Sequence, residues 1–245
     1  MRVAVMGGTT GMGRAVAREL AARGDTLFLW GIPEDELRRS ATDLEQRGAQ
    51  GGVGCAAVDL LDADTFAPAV AAAVATLGRI DAVVITAGMF APQDKLEQDL
   101  EFTRKMLVVN YAHLVVFCEH VRRELMSKGG GMLVVFSSVA GDRGRKPVAL
   151  YGSSKAGLSH YLESLDHKYR AEGLVTICVK PGFVRTSMTE GLKPPPFAGD
   201  PEQVAKQVVR AMDRGTPLVY APWPWRYVMM VIRSLPRFVM RRVGF

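Results

Sequence analysis

A phenol and an ammonium stand four residues apart in the segment YGSSK, Tyr151 to Lys155. On a helix this spacing puts both on one face. A phenol with a pKa near 10 is a poor acid or base at neutral pH, and a nearby cation lowers that value by stabilising the phenolate. Taken alone, the pair also fits a surface helix with an incidental Tyr and Lys. Ser138 changes the balance: it closes the apolar run MLVVFSS thirteen residues before Tyr151, so strand end and helix can converge over one pocket. Its hydroxyl can donate to a carbonyl oxygen. Asn110, in VVNY, falls inside a long helical stretch where asparagine is unfavourable by propensity, and is expected to hold a water that relays protons to Lys155.

A second cluster lies at the start of the chain. MGGTTGMGRAV, residues 6–16, follows a short apolar run and places Gly7, Gly11 and Gly13 in the spacing G-x3-G-x-G. Glycine costs more backbone entropy than any other residue, so each must permit something that side chains forbid. At a strand-to-helix turn this is close approach of a phosphate-bearing ligand to free backbone N–H groups and the positive end of a helix dipole. The spacing alone is equally that of a tight turn packed on a neighbouring helix. Asp59, ending the third apolar run and followed by Leu60, can accept from an adenine amino group or can start a helix. Thr86-Ala87-Gly88, ending the fourth run, offers small residues beside an adenosine.

The position that would read the ribose 2′ group is poorly marked. Trp30-Gly31-Ile32-Pro33 supplies neither a carboxylate for hydroxyls nor a cation for a phosphate, Glu34 and Asp35 come late, and Arg14 is in the first helix. NAD and NADP both stay open.

These residues need a scaffold that brings strand ends and helix starts to one edge. Apolar runs alternate with helix-period stretches throughout: RVAV then 12–23, TLFLW then 34–47, VGCAAV then 64–77, IDAVVITAG then 97–127, MLVVFSS then 151–172, LVTICV then 201–213, and PLVYAP. This βαβα rhythm predicts an α/β fold, a doubly wound parallel sheet of about seven strands with helices on both faces. At 245 residues, 48% hydrophobic and 23% charged, the chain fits a single domain, 1–245. The turn-rich stretch 183–200, with prolines 194–196, is expected to be a substrate-binding loop, with Asp200 and Pro201 opening the next helix.

Three widely spaced cysteines, Cys55, Cys118 and Cys178, suggest neither a disulfide framework nor a metal site. With RVAVM entered at once and no secretory leader pattern, a cytoplasmic protein is expected.

Together the motifs resemble the short-chain dehydrogenase/reductase family over nearly the whole chain. Gly7, Gly11, Gly13, Asp59, Ala87-Gly88, Asn110, Ser138, Tyr151, Lys155 and Pro181-Gly182 with Thr186 match its pattern in order, and Ile85-Thr86 departs from it where many members carry two asparagines. The resemblance implies a Rossmann-like fold and an NAD(P)H-dependent oxidoreductase acting on CH–OH groups, interconverting a ketone and a secondary alcohol. Tyr151 would be the acid/base, with Ser138, Lys155 and Asn110 as its partners. It implies cofactor contacts from Gly7, Thr9, Thr10, Gly11, Met12, Gly13, Asp59, Leu60, Ala87, Gly88, Tyr151, Lys155, Pro181, Gly182, Val184 and Thr186, no metal, and a homodimer or homotetramer. SSVAGDRGRKPVALYGSSKAGL, KPGFVRTSM and RYVMMVIRSLPRFVMRR are similar to the branch containing decaprenylphosphoryl 2-keto-pentofuranose reductases. That likeness implies a bulky, lipid-like or lipid-linked substrate.

The tail, 223–245, carries five of the arginines in an aromatic and Met-rich setting. Placed on one helix, Arg226, Arg233, Arg237 and Arg241 form a single stripe, with Pro236 as a kink. Its apolar part is shorter than the ~20 residues needed to span a bilayer. The tail is therefore expected to close the pocket, to form a subunit contact, or to lie as an interfacial helix at the inner face of a membrane. Nucleic acid is not an expected partner, since no reading element accompanies the basic residues. A redox sensor on the same scaffold, or a reductase of small soluble ketones, is the alternative. A sensor would have no need of Asn110, Ser138, Tyr151 and Lys155 together.

Overall fold

The computed structural model describes residues 1–244. Strands β1 (Arg2–Met6), β2 (Thr26–Gly31), β3 (Gly54–Ala57), β4 (Ala82–Ile85), β5 (Gly131–Phe136), β6 (Leu174–Pro181) and β7 (Leu218–Ala221) form one parallel sheet in the order 3-2-1-4-5-6-7. Helices follow in chain order: α1 (Gly11–Ala22), α2 (Glu34–Gln46), α3 (Phe66–Leu77), α4 (Gln93–Gln98), α5 (Leu100–Leu107), α6 (His113–Ser127), α7 (Ala149–Tyr169), α8 (Pro201–Arg214), α9 (Trp225–Ser234) and α10 (Arg237–Met240).

Successive strand residues face opposite sides, and both sides of a parallel sheet are covered. Val3 and Val5 of β1 pack with Leu20 of α1, Leu37 of α2 and Val208 of α8. Ala4 and Met6 pack with Phe66 of α3, Phe117 of α6 and Leu158 of α7. The chain winds outward from β1 to β3, then returns to β4 and winds the other way. The carboxyl ends of β1 and β4 therefore flank the crevice where such sheets bind ligands.

Local sequence explains several helix ends. Glu34, Asp35 and Glu36 fill the first turn of α2, where acidic groups suit the helix dipole. Pro201 opens α8 and Gly215, in the left-handed region at φ 61°, closes it.

Two expectations need correction. The helical stretch 97–127 is the end of α4 followed by two helices: the Asp99 carboxylate accepts from the Phe102 N–H and starts α5, and Val108–Ala112 forms a π turn between α5 and α6. The tail is not one kinked helix with a single arginine stripe. Leu235 (ψ 132°) and Pro236 (ψ 156°) are extended, so α10 starts afresh at an angle set by a proline that cannot continue α9. Among the described residues no helix is long and apolar enough to cross a membrane.

Candidate functional site

The glycine turn fills the crevice. Gly7 has φ +81°, and a side chain on it would press on Thr86 Oγ1 and the Ala87 backbone. A Cβ on Gly13 would lie 2.1 Å from the Gly7 carbonyl oxygen, so only glycine lets α1 start this close to β1. Thr86 ties the two strand ends by donating to the carbonyls of Met6 at 3.0 Å and Gly7 at 3.2 Å. Thr10 precedes α1 without capping it, which leaves the N–H groups of the first turn, at Gly11, Met12 and Gly13, without intrahelical acceptors. Thr9 is buried beneath the turn, its carbonyl accepting from Arg14 Nε at 2.6 Å.

A second group gathers at the ends of β4 and β5. Tyr151 and Lys155 lie one turn apart on α7, with Lys155 Nζ 5.9 Å from the centre of the Tyr151 ring. Lys155 is 4% exposed and donates to the carbonyl of Phe136 at 3.0 Å. An ammonium has three donors, so two remain for a ligand. Loss of hydration pushes its pKa down from 10.5 to about 8. Ser138 lies just past β5, where its Oγ accepts from the Ala140 N–H at 3.1 Å and its hydroxyl is close enough to the Tyr151 phenol to favour the phenolate. Burial pushes that phenol up to about 12, outweighing the lowering by Ser138. Phe90 meets the Tyr151 ring edge-on, centroids 5.1 Å apart.

Asn110 is placed in the same group, on the side of Gly88. Fully buried in the π turn, it accepts from the Met89 N–H at 2.7 Å and donates to the Met89 carbonyl at 2.8 Å. Its amide thus pairs with the Met89 backbone like a strand neighbour and holds the chain leaving β4. A Cβ on Gly88 would lie 3.2 Å from Asn110 Oδ1 and 3.5 Å from Lys155 Nζ, so both side chains lie against Gly88.

The third wall comes from the end of β6 and the tail. Pro181 is buried, and Gly182 lies directly under Trp225, whose Nε1 would be 2.1 Å from a Cβ there. The Trp225 indole N–H donates to the Phe197 carbonyl at 3.1 Å. The loop 183–200 closes on itself through a Val184–Gly199 bridge, and its Thr186 forms a reciprocal cap with Thr189 and stands beside Gly11. Met229 and Ile232 of α9 pack on Val139 and Tyr220, while Arg143 donates to the Leu235 carbonyl at 2.8 Å and Lys146 to that of Arg241 at 2.6 Å. The tail is therefore docked over the segment joining Ser138 to Tyr151.

The family model for short chain dehydrogenases matches residues 1–196. An uncharacterized oxidoreductase of Mycobacterium tuberculosis is 36% identical over 241 residues, covering 98% of this chain and 96% of the relative. The chain belongs to the short-chain dehydrogenase family. A 3-oxoacyl-[acyl-carrier-protein] reductase of Chlamydia muridarum is 29% identical over 77% of this chain and 75% of its own. The solved short-chain type dehydrogenase/reductase of Mycobacterium ulcerans superposes with a TM-score of 0.80 at 28% identity, covering 89% of this chain and 86% of that one.

This dehydrogenase is an oxidoreductase of CH–OH groups that uses NAD or NADP. Its residues fit that cofactor: the turn around Gly7 and Gly13 is a cradle that a Cβ would fill, and Lys155 keeps two donors beside it. Asp59 is the predicted contact least tied to the others. Its Oδ1 accepts from the Leu61 N–H at 2.8 Å, a local turn that leaves Oδ2 free, while buried Leu60 accepts from His113 Nδ1–H at 2.8 Å. Near the expected 2′ position the dehydrogenase has a cavity of about 350 Å³ lined by both signs of charge, Arg14, Arg18 and Arg39 with Glu36 and Asp43. Sequence reasoning missed Trp225, Met89 and Phe90, whose contacts are tertiary. It also missed the buried pair Lys180–Asp142, in which Asp142 also accepts from the Tyr220 hydroxyl at 2.8 Å.

Proposed function

We propose that this dehydrogenase reduces a ketone carried on a bulky, apolar, lipid-like molecule, with Tyr151 as the proton donor. The observation that carries the reading is the convergence of the Ser138 hydroxyl and Tyr151 phenol beside a desolvated Lys155. The nicotinamide supplies the hydride when it is bound. Ser138, its Oγ already accepting from Ala140, donates its hydrogen to the carbonyl oxygen. Tyr151 passes its phenolic proton to that oxygen as the C–H bond forms, leaving an alcohol and a phenolate. A charged Lys155 at this range stabilises the phenolate by about 3 kcal/mol at an effective dielectric of ~20, about two pK units. A phenol starting near 12 is therefore still protonated at neutral pH, which supports reduction as the working direction. Asn110 acts as a positioning residue, fixing Met89 and through it Gly88 against Lys155.

The bulky substrate is supported by the apolar surroundings of Tyr151. Ala91, Leu96 and Met106 with Phe102 and Leu150 pack around it, and Val139 with Met229 and Ile232 forms a further apolar cluster beneath the tail. Peripheral lipid association is supported by α9, which is apolar on its outer face as well as its inner one. Tyr227, Met230 and Val231 point to solvent there, 56%, 62% and 57% exposed, and the tail holds five of the chain's six net positive charges. A surface helix usually turns a polar face outward.

NADH and NADPH oxidation with a matched ketone series tests this. Long-chain ketones should give kcat/KM at least tenfold above small polar ones. Efficient turnover confined to small polar ketones contradicts the lipid-like substrate, and no turnover with any ketone favours the sensor.

A further inference from the structure

Four cations line one cleft of about 460 Å³ at the base of the tail: Arg143 and Lys146 from the segment before α7, and Arg237 and Arg241 from α10, with Gly144 and Met240 completing it. None of the four forms an ion pair among the described residues. The adjacent carboxylate, Asp142, is committed to Lys180 and Tyr220. Arg143 and Lys146 each use a donor on a carbonyl of the tail, which fits the electrostatics of helix ends and explains how the tail is anchored. That leaves most of their N–H groups free. Arg237 opens α10 and Arg241 is its C-cap residue in helical geometry, so the i, i+4 spacing brings two like charges to one side of this short turn, an arrangement that costs stability unless an anion lies between them.

We infer that this cleft binds a phosphate group borne by an amphiphile. Arginine forks and a lysine suit phosphate oxygens, which accept several charge-assisted bonds at once. The apolar part of the ligand has a path beside Met240 and along the exposed outer face of α9. Two sources share this chemistry: a single phosphorylated lipid-like molecule, and the phospholipid headgroups of a bilayer. The inference goes beyond the redox reading and is measured without turnover.

The test is calorimetric titration of the full chain with octyl phosphate below its micelle concentration, and with vesicles of phosphatidylglycerol in phosphatidylcholine. Octanol and pure phosphatidylcholine vesicles are the blanks. Arg237→Gln/Arg241→Gln removes two cations of the cleft at exposed positions, and Arg226→Gln/Arg233→Gln removes the same charge from the tail outside it. NADPH binding, read on every sample by fluorescence, verifies folding and stays unchanged. The expected result is that the cleft pair weakens binding at least tenfold and the outer pair less than threefold. Loss confined to octyl phosphate assigns a single-molecule ligand, and loss confined to anionic vesicles assigns bilayer headgroups. Binding no tighter than the blanks, or equal weakening by the two pairs, overturns the inference. Ketone turnover measured on the same samples shows separately whether the redox reading stands.

Discussion

Trp225 donates its indole N–H to the carbonyl of Phe197 while its ring covers Gly182, so the tail and the loop 183–200 form one wall. Phe197 is held at φ 65°, a strained conformation for a residue with a side chain, and such strain persists only where the surroundings fix it.

Trp225→Phe keeps an aromatic ring on Gly182 and removes only the donor. One lost hydrogen bond of about 1 kcal/mol should raise KM for a long-chain ketone about fivefold, with kcat within twofold. Steady-state kinetics check this, and an unchanged KM shows that the wall does not contact substrate.

Lys155 makes an opposite demand on stability and activity. Its folded pKa of about 8 lies below the unfolded 10.5, so between these values the unfolded chain binds more protons and stability rises with pH. Below pH 8 the full penalty is present, about 3 kcal/mol, partly offset by the bond to Phe136. Lys155→Met should therefore stabilise the cofactor-free protein by about 1–2 kcal/mol at pH 7, a gain that disappears by pH 10.5, while abolishing turnover. Denaturant unfolding at both pH values is the check, and a less stable variant at pH 7 contradicts it.

Gly13→Ala places a methyl 2.1 Å from the Gly7 oxygen, whereas Gly144→Ala meets nothing within 4 Å. The first should cost about 2 kcal/mol or more and weaken NAD(P)H binding, and the second should change neither. Thermal melts with and without NADPH distinguish them, and equal melts would show that α1 shifts freely.

The parallel sheet and most of the site were legible because their signals are local. Tyr151 and Lys155 share a helix face by spacing alone, Ser138 ends an apolar run, and the glycines bracket a turn. Asn110 was legible as an anomaly, but its pairing with Met89 was not, because that backbone comes from another element and a π turn has no sequence period. The Trp225 contacts to Gly182 and Phe197 depend on how the tail returns across the sheet edge. Pro236 announced an interruption, and only the extended Leu235 turned a kink into a break that separates Arg226 and Arg233 from Arg237 and Arg241.

Both cofactors should serve, because the cavity beside α1 and α2 presents arginines and carboxylates together and Gly31 and Ile32 add neither. The ratio of kcat/KM for NADPH and NADH should stay below about a thousandfold, roughly 4 kcal/mol. A larger ratio reveals a specific contact to the 2′ group.

The most direct measurement is single-turnover ketone reduction by Tyr151→Phe at pH 7, with NADPH affinity determined in parallel. The ring, its contact with Phe90 and the cofactor cradle all survive this change, and only the phenolic hydroxyl with its proton is lost. The account predicts NADPH binding within threefold of wild type and a rate lower by about 10²–10⁴, the range for loss of a positioned general acid. A variant that binds NADPH and reduces the ketone at the wild-type rate contradicts Tyr151 as the proton donor.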